Sequence, residues 1–160
     1  PNNILAQVTM KNLRQLNDLE YDDDNVKFAI RIQQSIDNQV PLSSIKEVID
    51  TSGTVGMGST DVGDVSWVVP TTGFNTACFT PGVPGHSWQA VASGGTDAAG
   101  KGLNLASRVI AATAWDLYRS PEILAAAKSE LQQRLGSQPY KSLMMPGQKP
   151  PLDYRKPAVK

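Results

Sequence analysis

A chain of 160 residues can bury a core of its own, and at this length folding removes roughly two-thirds of the unfolded surface from water. Its 15 basic and 15 acidic residues cancel and 40% of the chain is hydrophobic, which excludes a broad positive field for a phosphate backbone and the composition of a disordered or collagenous chain. No apolar run approaches the roughly 20 residues that cross a bilayer, and the first residues lack the order of a secretion signal, so neither nucleic acid nor membrane is an expected partner.

From Asn3 to Leu16, the residues Leu5, Val8, Leu13 and Leu16 recur at helical spacing, and Asn2 or Asn3 can cap the first amides. A second helix is expected after Asp22-Asp23-Asp24, with Val26, Ala29, Ile30, Gln33 and Ile36 as its inner stripe; the acidic triplet reads as a helix start in preference to a metal site. A short apolar run from Ile45 to Ile49 leads into Gly53, Gly56, Gly58 and Gly63, where the backbone must turn sharply or lie close to something else.

Two β-rich runs follow, Val65 to Val69 and Phe74 to Thr80, separated by Pro70 and Gly73 and read as strands. Beyond a turn-rich stretch from Pro81 to Gly102 comes a long helical pattern through Leu103, Ala106, Val109, Ile110, Thr113 and Leu117, whose small residues point to close packing on a sheet. Ser120-Pro121-Glu122 starts a last helix with Leu124, Ala127, Leu131 and Leu135 inside and Gly136 at its end. The Pro- and Lys-rich residues 139–160 are expected to be an extended tail. An α/β fold, helices packed on a few strands, is the resulting expectation for residues 1–138.

Chemistry is expected in three turn-rich places: Ser59-Thr60-Asp61-Val62-Gly63-Asp64, His86 within Pro84-Gly85-His86-Ser87-Trp88, and Lys101 between two glycines. Asp61 and Asp64 could bind a metal, exchange protons, or fix turns through backbone amides, the last being their commoner use. A lone histidine is likewise more often structural than a ligand. Gly56-Met57-Gly58 hints at a dinucleotide loop, but that fingerprint's third glycine falls at Asp61, whose charge repels a pyrophosphate. Cys78, the one cysteine, cannot form an intrachain disulfide or a thiolate zinc cluster and reads as a buried inert thiol, consistent with a reducing cytoplasm. The opening Pro1-Asn2-Asn3, without an initiator methionine, leads us to expect a piece of a longer protein.

Taken together, Gly58-Ser59-Thr60-Asp61-Val62-Gly63-Asp64-Val65-Ser66-Trp67, then Val69-Pro70-Thr71, then Gly82-Val83-Pro84-Gly85-His86-Ser87-Trp88-Gln89 resemble the aminobenzoyl-glutamate-hydrolysing branch of the M20 amidohydrolases and peptidases. Ala99-Gly100-Lys101-Gly102-Leu103, the alanine-rich helix and Ser120-Pro121-Glu122 follow in the same order as in that family, so the resemblance covers nearly the whole chain. It implies the C-terminal part of a zinc-peptidase-like catalytic domain (phosphorylase/hydrolase-like in fold), with residues 1–38 as the helix pair returning from an inserted dimerisation domain.

The same resemblance makes His86 a metal ligand, with Asp61, Asp64, Ser87 and Lys101 as candidates to support that ligand or face substrate. It implies two divalent metal ions, zinc or manganese, per complete site. The other ligands and the general base would come from sequence not present here. The implied substrate is a small N-acyl amino acid or dipeptide, and the implied partners are the remainder of the parent enzyme and a second copy or a related subunit. The competing expectation is a non-catalytic structural subunit or fragment that keeps the fold.

Overall fold

The computed structural model describes residues 1–54, 56, 58, 60–152 and 155. Helix α1 (Asn3–Leu16) is followed by α2 (Asp23–Gln33), a 3-10 turn (Leu42–Lys46), and the short α3 (Val62–Val68) and α4 (Trp88–Gly94). The 23-residue α5 (Asp97–Arg119) and α6 (Pro121–Leu135) complete the described elements. None of these helices is long and apolar enough to cross a membrane.

The ends of the helices follow local chemistry. Asn2 accepts the Leu5 amide at 3.1 Å to cap α1, Asp22 accepts the amides of Asp24 and Asn25 to cap α2, and Thr96 accepts that of Ala99 to cap α5. Pro121 occupies the first turn of α6, and Gly136 leaves it at φ 56.

The helices assemble around α1. Its inner face packs on α5, where Leu13, Leu105 and Val109 form a buried core with Leu19 and Ile45, flanked by Leu16, Tyr21, Val48, Phe74 and Ala77. Its N-terminus is seated on α6: Asn2 Nδ2 donates to the Ala127 carbonyl at 2.9 Å, and the Glu130 carboxylate accepts the amides of Asn3 and Ile4 at 2.8 and 3.0 Å. Those amides are among the four that a helix start leaves without intrahelical partners.

The α/β expectation is overturned: 55% of the chain is helical, and no strand or sheet occurs among the described residues. The run Val65–Val69 is not a strand but the body and end of α3. The amide of Val62 bonds Thr60 Oγ1 at 3.3 Å, and that of Val69 reaches back to the Val65 carbonyl at 3.0 Å, before Pro70 ends the helix. β-propensity measures fit to a pleated surface, and here no neighbouring strand supplies one.

Residues 74–80 are irregular and pair with no strand among the described residues. The Cys78 amide bonds locally to the Thr76 carbonyl at 2.9 Å, and the Thr80 amide is 3.4 Å from Ser93 Oγ. The segment instead lies across α5 at Gly102, where an added Cβ would come within 2.6 Å of the Ala77 carbonyl oxygen and 2.9 Å of Cys78 Sγ. Thus α5 packs on α1 and an irregular segment, not on a sheet. On α5, Val109 of the expected pattern is buried, whereas Leu103 and Ile110 are 65% and 59% exposed and Ala98, Gly102 and Leu105 face inward. In α2, Ala29 of the expected stripe is buried and Val26 and Gln33 are partly buried, but Ile30 is exposed and Ile32 is buried instead.

Gly102 and Gly100 offer a matched test of this packing. Both sit in α5, where alanine is favoured over glycine by about 1 kcal/mol. A Cβ at Gly100 meets nothing within 4 Å, so Gly100→Ala should raise the melting temperature. Gly102→Ala should lower it, because overpacking against backbone costs about 1–3 kcal/mol and outweighs the propensity gain. Thermal melts of the two variants check the close approach; a stabilised G102A would remove it.

Candidate functional site

His86 lies in the turn that leads into α4 and is exposed. Its backbone has φ 59, making it the one non-glycine residue in the left-handed region among those described. That conformation costs an L residue about 1–2 kcal/mol, so the surrounding chain must impose it. The imidazole makes no hydrogen bond or ion pair within the described residues and faces solvent.

The neighbours of His86 are tied down. Ser87 caps α4 by accepting the Ala90 amide at 3.1 Å, while its hydroxyl donates to the Pro84 carbonyl at 2.8 Å. Buried Gln89 donates to the Ser35 carbonyl and hydroxyl at 3.2 and 3.3 Å, which fastens α4 to the chain leaving α2. Ser87 therefore supports the turn through the backbone.

Both aspartates lie at the start of α3, and neither side chain caps it. Asp61 is the exposed residue at the start of α3, 3.4 Å from Thr60 Oγ1, and Asp64 lies in that helix's first turn, where it accepts the Tyr140 hydroxyl at 3.0 Å. No hydrogen bond or ion pair joins either one to His86 or Lys101. Ser59 of the same motif, Met57 of the glycine loop and the last part of the tail lie outside the described residues.

Lys101 belongs to a different place, an open cleft of about 720 Å³ between the α1–α2 connection and α5. Its ammonium donates to Asp22 at 2.7 Å and Asn25 Oδ1 at 2.6 Å, and pairs with Asp97 at 3.3 Å. Beside it, Arg108 bridges Asp18 and the Leu16 carbonyl. Asp18, Asn25 and Arg108 carry no sequence signal for this role because their partners lie far along the chain. Asp22 is legible in sequence only as a helix cap, a role it keeps while also holding Lys101.

Both sides of that pair are perturbed in the matching direction. The Lys101 hydrogen bond, helped by the Asn25 amide, holds the Asp22 carboxyl below its usual 3.8, and Asp22 in turn holds the Lys101 ammonium above its usual 10.5. Cations and anions in the cleft satisfy each other.

The donors on this chain fit a metal only in part. No three His, Cys, Asp or Glu side chains come together in a metal-binding group among the described residues, so His86 can offer one ligand and the described residues do not by themselves enclose an ion.

No protein-family model matches the chain. No solved structure matches it either. It is similar to one component of a hydrolase. That relative is a p-aminobenzoyl-glutamate hydrolase subunit from Escherichia coli (strain K12), 30% identical over 166 aligned positions that cover 88% of this chain and 34% of the relative. The chain thus spans about a third of the relative's length.

The Asp22–Lys101 pair makes stability depend on acid. A carboxyl depressed in the folded state stabilises fully above its unfolded value and loses that contribution as pH falls through the folded value. The melting temperature should therefore fall as pH drops below 3.8, and Asp22→Asn should flatten that fall. Melts between neutral pH and pH 2 provide the measurement; an identical profile in D22N would mean the pair contributes nothing measurable.

Proposed function

We propose that this chain works as one part of a metal-dependent amidohydrolase, in which His86 supplies a single ligand to a divalent metal and the remaining ligands and the general base come from other sequence. The observation that carries this reading is the similarity to the p-aminobenzoyl-glutamate hydrolase subunit, of which the chain spans about a third. The exposed, unpartnered imidazole of His86, held on a braced turn, is consistent with it.

The substrate class is an N-acyl amino acid of the aminobenzoyl-glutamate kind or a dipeptide, the metal zinc or manganese, and the setting the cytoplasm. The wider assembly would pair this part with the rest of the enzyme and with a second copy or a related subunit, where M20-type enzymes provide the pattern. A bound metal would supply Lewis acidity and an acidified water. The part of His86 is to present a neutral ring nitrogen, and that of Ser87 and Gln89 is to fix where the ring stands. Asp64 accepts the Tyr140 hydroxyl and Lys101 is paired in its cleft, and Asp61, Asp64 and Lys101 are assigned supporting roles in this reading.

On this reading the purified 160-residue chain should release no measurable p-aminobenzoate from p-aminobenzoyl-glutamate, with or without added zinc or manganese. Calorimetric zinc titration should show only the weak binding of a lone imidazole, abolished in His86→Ala. Robust metal-dependent turnover by the chain alone would overturn the division of the site. In the full-length protein, H86A should lose most activity and one metal equivalent while melting as the parent does; full metal content in that variant would remove His86 from the ligand set.

A further inference from the structure

His86 holds a left-handed backbone with no hydrogen bond or ion pair of its side chain among the described residues, which points to its flanks as the cause. On one side, Gly82 turns at φ 89 against the chain leaving α2, so closely that a Cβ there would stand 2.3 Å from the Asn38 carbonyl oxygen. The preceding Pro81 carbonyl accepts Gln33 Nε2 at 3.0 Å, and the Val83 amide bonds the Thr80 carbonyl at 3.1 Å. On the other side, α4 is held by Gln89 on Ser35 and by buried Ser93, whose hydroxyl lies 3.4 Å from that of Thr80.

Both flanks are therefore anchored near the end of α2. Between them, among the described residues, the Ser87 side chain reaches across the histidine, donating to Pro84 and accepting from Ala90. The hydroxyl ties the Gly85-His86 turn to the first turn of α4. A relaxed turn would let His86 return to the extended or right-handed region, and the Ser87 bond to Pro84 opposes that return.

We propose that Ser87 is a positioning residue whose hydroxyl, by bridging the Pro84 carbonyl and the Ala90 amide, locks His86 in the left-handed conformation and so fixes the direction of its Cα–Cβ bond. The value of a fixed direction rests on the ligand reading given above, whereas the lock itself does not. An imidazole on a fixed backbone has only its side-chain torsions left to lose on meeting a metal or substrate, whereas one on a loose turn loses backbone freedom too. Ser87 touches neither, acting only through its neighbour.

A coupling measurement on the purified chain tests the lock without metal or substrate. Glycine tolerates the left-handed region and alanine does not, so His86→Gly should melt about 2–4 °C above His86→Ala, the shift expected for a difference near 1 kcal/mol in a domain of this size. In a Ser87→Ala background the gap should shrink to under about 1 °C, and Ser87→Thr, which keeps the hydroxyl, should restore it. A helix cap with no hold on His86 would lower all melting temperatures equally and leave the gap unchanged. If S87A proves too unstable to melt cleanly, Ser87→Asp retains the acceptor for Ala90 but cannot donate to Pro84, and the gap should shrink there too. An equal gap in the serine, alanine and aspartate backgrounds overturns the proposal, as does the absence of any gap with serine in place. Either failure leaves the zinc titration unaffected, and a failed titration leaves the lock standing.

Discussion

The seating of the α1 N-terminus on α6 is the contact on which the rest of this architecture depends. Asn2 and Glu130 bring the two ends of the helical assembly together by satisfying amides that a helix start cannot pair internally. Burial pushes the Glu130 carboxyl upward, but the Asn3 and Ile4 amides, Arg134 and the N-terminal ammonium outweigh it and hold the group below the usual carboxylate range. With α1 fixed at that end, Leu13 and Leu16 meet Leu105 and Val109 of α5, and the core closes.

From α5 the consequences reach the candidate site. Gly102 lets residues 77 and 78 pass directly over the helix, and the same segment runs on to Thr80, which meets Ser93 of α4. The turn carrying His86 thus hangs between a segment pinned on α5 and a helix pinned on the chain leaving α2. A strained residue survives there because its surroundings over-determine it, the condition under which strain persists at functional positions. Lys101 and Arg108, one and three turns along the same helix, do different work by closing the α1–α2 connection onto α5.

Large apolar side chains remain uncovered around this frame. Trp88 and Val91 of α4 are 62% and 79% exposed, and Leu103 and Ile110 stand outward on α5. Apolar exposure is ordinary for single residues. Here it recurs on the consecutive helices α4 and α5.

Local signals made much of the helical layout legible. The cap at Asn2, the acidic start at Asp22 and the proline at 121 each act within one turn, so α1, α2 and α6 lie where their sequences place them. His86 was legible as a candidate because it is the chain's one histidine, set in a glycine-flanked turn. Tertiary context decided what local rules left open. Val65–Val69 carries strand-forming residues but has no strand to pair with, and a Thr60 bond starts a helix instead. Leu103 and Leu105 are equally apolar, and only the position of α1 determines which one is buried. Asp22 with Lys101, and Asp18 with Arg108, are 79 and 90 residues apart in sequence. No spacing rule reaches across such distances, because the pairs exist only once the helices have packed.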